Sequence, residues 1–224
     1  MKAQQSGFTL VEIAIVLVII GLLLGGILKG QELINSAKVK NLANDFRIIP
    51  TYIYAFQDKF KSLPGDDAQI SAHIGTTACI AADCKEGNGN GVIEGAWNAA
   101  AGLTPEAAQF WGHVRFANLA AGPTAISDAT YMPRNSVGGR LGVSSMATGQ
   151  PQITGMTGTY QICSAAILGK FVKQLDIQMD DGNTATGSMR AITDIGTATT
   201  VTAAAALATT AVNDADSYTV CMTF

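Results

Sequence analysis

Residues 8–28 read FTLVEIAIVLVIIGLLLGGIL and contain one charged side chain, that of Glu12. At about 1.5 Å of rise per residue, a helix of this length spans the roughly 30 Å hydrocarbon core of a bilayer. A short polar leader, residues 1–7, precedes the segment, and no small-residue cleavage site ends it as in a secretory signal peptide. We therefore predict a single membrane-spanning helix at residues 8–28.

Glu12 is the unusual residue of this segment. An ionised carboxylate inside the hydrocarbon core costs about 2.5–3.5 kcal/mol on insertion scales, so its presence predicts a partner of opposite charge. A cut before Phe8 would create an ammonium group one helical turn from Glu12. This pairing therefore requires proteolysis of the chain.

Residues 7–12 read GFTLVE, and with the apolar run behind them they resemble the prepilin signature of type IV pilins and type II secretion pseudopilins. The resemblance implies that a membrane prepilin peptidase cuts between Gly7 and Phe8 and methylates the new amine of Phe8. It also implies that Thr9 and Glu12 are assembly residues. Glu12 would neutralise the amine of a neighbouring subunit when helices stack in a filament core.

The resemblance implies a structural subunit, a major or minor pilin, of a type IV pilus-like filament. Its partners would be copies of itself or other pilins, the prepilin peptidase and an assembly platform in the inner membrane. The chain would cross the inner membrane once with its head in the periplasm, and become extracellular on assembly. Two alternatives stay open: a type II secretion pseudopilin, and a membrane-anchored periplasmic binding module that never polymerises. The sequence does not distinguish adhesion, motility, DNA uptake and secretion.

The helix is predicted to continue through residues 29–63 as an amphipathic segment, because apolar residues recur at alternating spacings of three and four. This stripe is expected to pack against a globular head, residues 64–224, in an α+β fold. The stripe consists of Val39, Leu42, Phe46, Ile49, Ile53, Phe56, Phe60 and Leu63.

The head is predicted to contain two further helices and a small antiparallel sheet. Residues 104–119 favour a helix with Thr104 as N-cap and Pro105 at the first helical position. Residues 164–179 show apolar residues at helical spacing. Residues 188–193 and 217–223 are rich in β-formers and are expected to pair as antiparallel strands.

Four cysteines lie beyond the membrane segment, and their even number allows three disulfide connectivities. We expect Cys79 to pair with Cys84 in a tight local loop and Cys163 with Cys221. The second bridge is similar to the way many pilin heads pin their C-terminal region. Zinc is disfavoured, because the cysteines form no C-x-x-C pairs and the two histidines stand apart.

One head segment partly resembles the start of a calcium-binding loop, with oxygen-bearing side chains at alternate positions. The candidate ligands are Glu86, Asn88, Asn90 and Glu94. The likeness is incomplete, since Trp97 stands where a bidentate glutamate is expected. Apart from this calcium, no cofactor is predicted, and the alternative is a Gly/Asn-rich turn.

Composition excludes several functions. Hydrophobic residues make up 48% of the 224 residues and charged ones 14%, which argues against a disordered chain. The net charge of −3 provides no global basic field, so no nucleic-acid partner is predicted. No nucleophile elbow, P-loop or metalloprotease motif occurs, so we predict that the chain is not an enzyme.

Overall fold

The computed structural model describes residues 9–75, 83–102, 104–147, 152–196 and 204–224. Contacts between residues divide the chain into two compact units, the first ending at Lys38 and the second running from Val39 to Phe224. The boundary falls inside the first helix.

Helix α1, Leu10–Phe60, is 51 residues long. Within the first unit, every residue from Leu10 to Leu28 is exposed. This part of α1 is long and apolar enough to cross a membrane, and none of its most apolar window is buried within the chain. Exposed apolar side chains all round a helix are typical of a segment surrounded by lipid or by other helices.

Within the second unit, the predicted stripe is the buried face of α1. Six of its residues reach the hydrophobic core: Val39, Leu42, Phe46, Ile49, Ile53 and Phe56. The predicted end of the helix at Leu63 is three residues too late, because Lys61 adopts a left-handed backbone conformation with φ +58°. A residue in the left-handed conformation cannot continue the hydrogen-bond pattern of a right-handed helix, so the helix ends there. Leu63 nevertheless remains buried.

In the described part of the chain, three shorter α-helices follow: α2 Ile70–Ile74, α3 Glu106–Phe116 and α4 Gly169–Met179. Helix α3 confirms the predicted helix near residue 106 but corrects its start, because Pro105 is extended and occupies the N-cap position itself. Thr104 therefore lies outside the helix. The helix also ends at Phe116, before the predicted end at Leu119.

Among the described residues, the sheet has four strands: β1 Leu141–Ser145, β2 Tyr160–Leu168, β3 Met189–Thr193 and β4 Ser217–Thr223. Their spatial order is β1-β2-β4-β3, and every neighbouring pair is antiparallel. The predicted pairing of β3 with β4 is confirmed, with Ala191 opposite Val220. The α+β class is confirmed as well.

The helix predicted at residues 164–179 is wrong in its first five residues, which belong to β2. Strand β2 lies between two neighbours and is buried along almost its whole length. A strand buried on both faces shows no alternation, so its apolar run has the same appearance as a buried helix. The helix itself begins at Gly169.

Cys163 and Cys221 face each other in the β2–β4 ladder and form a disulfide. This predicted bridge is confirmed, and it joins two strands of the sheet. Cys79 lies outside the described residues, so its pairing with Cys84 stays a prediction. The confirmed bridge links the two central strands of the sheet.

Candidate processing and assembly site

The first turn of α1 is closed by two residues, Thr9 and Glu12. The backbone N–H and the hydroxyl of Thr9 both donate to Oε2 of Glu12, each at 2.8 Å. The backbone N–H of Glu12 donates in return to Oγ1 of Thr9 at 3.3 Å. This reciprocal arrangement is a capping box, which satisfies amides that the first helical turn leaves without partners.

The capping box fixes the position of the Glu12 carboxylate on the exposed surface of the helix. Its second oxygen, Oε1, accepts no hydrogen bond from any residue in the described part of the chain. One carboxylate oxygen is therefore available to a cation from outside the chain. Gly7 and Phe8, the predicted cleavage pair, lie outside the described residues.

The apolar surface on the C-terminal side of Glu12 ends at a charged pair. Lys29 and Glu32 form an ion pair of 2.6 Å between Nζ and Oε2, with both side chains about two-thirds exposed. An exposed pair of this kind contributes little stability. The pair marks the end of the uncharged apolar run, because Lys29 is the first charged residue after Glu12.

Residues 2–28 match the family model of the prokaryotic N-terminal methylation motif. This motif is the signature of type IV pilins and pseudopilins. The match confirms the resemblance seen in the sequence. The methylation motif includes Gly7, Phe8, Thr9 and Glu12, while the cut between Gly7 and Phe8 and the roles of these residues stay predictions.

The methylation motif ends before the head. No curated protein and no solved structure matches the chain significantly. The motif with its apolar helix fits membrane anchoring.

The segment predicted to bind calcium is a turn whose side chains bond to each other. The side-chain amides of Asn88 and Asn90 donate to the two carboxylate oxygens of Glu94, at 3.1 and 2.9 Å. Glu86 instead accepts a hydrogen bond from the hydroxyl of Ser71. Among the described residues, no group of three or more His, Cys, Asp or Glu side chains is placed to hold a metal ion. Calcium binding stays a prediction.

Two carboxylates that the sequence analysis did not select organise this turn. Buried Asp66 accepts backbone N–H bonds from Gly89, Asn90 and Gly91, at 2.7 to 3.1 Å. Glu106 accepts from the backbone N–H groups of Asn88 and Glu94, both at 3.0 Å. The turn therefore folds around anions of the protein itself. From the sequence, Asp66 is recognisable only as part of a Pro-Gly-Asp-Asp turn. Glu106 is recognisable only as an acidic residue at the start of a helix.

Replacing Asp66 with asparagine is expected to destabilise the head by about 2 kcal/mol, because an amide nitrogen would face backbone N–H donors that then lose their acceptor. The measurement is denaturant unfolding of the full chain in detergent. Glu86→Gln is the matched control, since Glu86 is exposed, and should change stability by less than about 0.5 kcal/mol. Equal effects of the two changes would contradict the role given to Asp66.

His113 lies beneath the same region, fully buried in α3. Its Nδ1 accepts from the backbone N–H of Gly65 at 2.9 Å, and its Nε2 donates to the backbone carbonyl of Lys85 at 3.0 Å. These two partners require the neutral ring with its proton on Nε2. Burial lowers the pKa of His113 to about 4, although the carboxylates of Asp67 and Asp66 oppose this shift.

The pKa of His113 predicts a loss of stability in acid. Between pH 6.5 and about 4, the unfolded chain binds a proton at this residue and the folded chain does not, so stability falls as the pH falls. The loss amounts to about 3 kcal/mol at most. Burial raises the pKa of Asp45 and Asp176 to about 6, and these groups act in the opposite direction.

The contribution of His113 is therefore measured by comparing how much stability wild type and a His113 variant lose in acid. Unfolding of wild type and of His113→Gln at pH 7 and pH 4.5 should show a smaller acid loss in the variant. His73→Gln is the control, because His73 is only partly buried and contacts Asp67 instead. An unchanged acid loss in His113→Gln would refute the assignment.

Proposed function

We propose that the chain is a structural subunit, a major or minor pilin, of a type IV pilus-like filament. A prepilin peptidase cuts it between Gly7 and Phe8 and methylates Phe8. Residues 8–28 hold it in the inner membrane with the head in the periplasm. An assembly platform then moves it into an extracellular filament whose core is built from α1 helices.

One observation carries this proposal: within the methylation motif, a fully exposed apolar helix places Glu12 in its first turn with a free carboxylate oxygen. Lipid satisfies the apolar side chains but offers no partner for the carboxylate. A neighbouring copy of the same helix satisfies both, because its methylated amine supplies the opposite charge. Pairing one amine with one carboxylate also fixes the axial register between subunits.

The methylation motif points to a structural protein rather than an enzyme. In this proposal the chain is the substrate of the peptidase, and the head provides the outer surface of the filament. The α1 stripe between Val39 and Phe56, buried in the head's core, fixes the head on its helix.

The proposal is tested by mass spectrometry of the N-terminal peptide in two fractions, sheared surface filaments and washed membranes. Methylated Phe8 as the abundant N-terminus in the sheared fraction is the expected result. Processed chain confined to membranes would favour a pseudopilin or a rare minor pilin over a major pilin. An intact Met1 in both fractions would refute processing and favour an anchored module that does not polymerise.

A further inference from the structure

A tight turn in the head brings two arginines face to face. Arg134 and Arg140 are directly opposite each other in an antiparallel bridge. Two backbone bonds close the turn between them, from Asn135 N–H to the carbonyl of Gly139 and from Gly138 N–H to the carbonyl of Asn135. Like charges at directly opposite positions are destabilising unless an anion lies between or beside them.

The protein itself does not neutralise this pair. All 17 acidic residues of the sequence lie within the described ranges, and none forms an ion pair with Arg134 or Arg140. Burial lowers the pKa of Arg140, and the like charge of Arg134 lowers it further. Two positive charges are therefore held together in a chain whose net charge is −3.

The contacts of the two guanidinium groups leave donors unused. Nη1 of Arg140 donates to the backbone carbonyls of Asn98 and Ala99, at 2.6 and 2.8 Å. Nη1 of Arg134 donates to the carbonyl of Gly138 at 2.8 Å. On both side chains, Nε and Nη2 donate to no residue of the described ranges. A guanidinium with free adjacent donors matches the two oxygens of a carboxylate.

The arginines line a cavity of about 270 Å³, and Asp194 lies on its wall. Oδ1 of Asp194 accepts from the backbone N–H groups of Ala166 and Gly196, both at 3.2 Å, and from the hydroxyl of Thr219 at 2.9 Å. Its Oδ2 accepts from no described residue, so one oxygen is available to a hydroxyl donor. Two positive charges and one negative charge give the cavity a net charge of one positive unit.

The cavity walls are held in a specific conformation. Ala166 has φ +56°, which is costly for alanine, and sits where the register of β2 and β4 shifts in a bulge. Strained residues and bulges of this kind concentrate at binding sites. Asn135 ties the arginine turn to the bulge by donating to the hydroxyl of Ser164 and the carbonyl of Ala165, both at 2.8 Å. At Gly139 a Cβ would run into the same carbonyl, so only glycine allows this approach.

We propose that this cavity binds an acidic monosaccharide, with Arg134 and Arg140 holding its carboxylate and Asp194 accepting from its hydroxyls. A singly charged carboxylate balances the net charge of the cavity, whereas a phosphate dianion would exceed it. The volume is close to the lower end of the range for ligand pockets, about 300–1,000 Å³, which limits the ligand to a small molecule. This binding does not depend on polymerisation.

The test is titration of the full chain in detergent with D-galacturonate, followed by calorimetry, with D-galactose and inorganic phosphate as the other ligands. Galacturonate should bind saturably, while neutral galactose and phosphate should bind at least about tenfold more weakly, because galactose lacks the carboxylate and phosphate lacks the hydroxyls of the sugar ring. Phosphate binding as tight as galacturonate would overturn the sugar assignment. Absence of saturable galacturonate binding would overturn the site.

Arg134→Gln is the informative variant, because Arg134 is exposed and bonds only the carbonyl of Gly138 in the described structure. It should weaken galacturonate binding by about tenfold or more. It should leave the thermal midpoint of the unliganded chain unchanged or raised, since the repulsion between the arginines is relieved. Arg190→Gln is the matched control, because Arg190 bonds Thr154 and Gly187 away from this cavity. Equal affinities of Arg134→Gln and wild type would refute the proposal.

Discussion

Replacing Glu12 with glutamine is expected to abolish incorporation of the chain into filaments while leaving membrane insertion intact. Glutamine still fits the capping box with Thr9, so the first turn of α1 forms as before. The variant loses only the charge that would pair with the amine of a neighbouring subunit. An unpaired ionised group in an apolar environment costs about 2.5–3.5 kcal/mol, which corresponds to a factor of roughly 100 in the equilibrium for assembly.

The measurement is the ratio of chain in sheared filaments to chain in membranes, by quantitative immunoblotting. Glu12→Ala should show the same loss with an additional loss of the cap. Glu32→Gln makes the same chemical change 20 residues further along the same helix, where the carboxylate already pairs with Lys29. It should assemble normally. Normal filaments from Glu12→Gln would refute the pairing of charge between subunits.

Removing the bridge between Cys163 and Cys221 by a double change to alanine is expected to lower the free energy of unfolding by about 4 kcal/mol. The two residues are 58 positions apart, and a cross-link over a loop of this length removes much entropy from the unfolded chain. The bridge also joins the two strands at the centre of the sheet. Many small domains have only about 5–15 kcal/mol of stability in total, so the loss is severe.

Denaturant unfolding of wild type and the double variant, each with and without dithiothreitol, measures this contribution. Reduction should destabilise the wild type to the level of the reduced double variant. Any further effect of dithiothreitol on the double variant reports another bridge, such as the predicted one between Cys79 and Cys84. Equal unfolding midpoints of the oxidised wild type and the oxidised double variant would contradict the prediction.

The sequence predicts those parts of the molecule whose structure is determined by residues close together in the chain. The run before Leu28 is recognised by its length and its single charge, and the buried stripe from Val39 to Phe56 by its helical period. The pairing of Cys163 with Cys221 was likewise anticipated. The two helical segments are predicted from residues that are close together in the sequence. The disulfide is one choice among only three possible connectivities.

The features that were missed depend on contacts between distant residues. Strand β2 looks helical from residue 164 because both of its faces are covered, and only the sheet reveals the strand. Asp66 acts on amides 23 to 25 residues away, so its sequence neighbours indicate nothing beyond a turn. The cavity that Asp194 lines with Arg134 and Arg140 depends equally on how the sheet folds, as does the role proposed for Asp194.

The strand order β1-β2-β4-β3 sets a condition on biogenesis. Strand β3 pairs with β4 and not with β2, although β4 is made more than twenty residues after β3 ends. In the proposed pathway the head crosses the membrane in chain order, so β3 waits without its partner and Cys163 meets oxidants before Cys221 emerges. Cys79 and Cys84 have already emerged by then, so premature oxidation can trap Cys163 in a wrong pair. The proposed pathway therefore predicts that a thiol isomerase in the periplasm raises the yield of the head with its Cys163–Cys221 bridge.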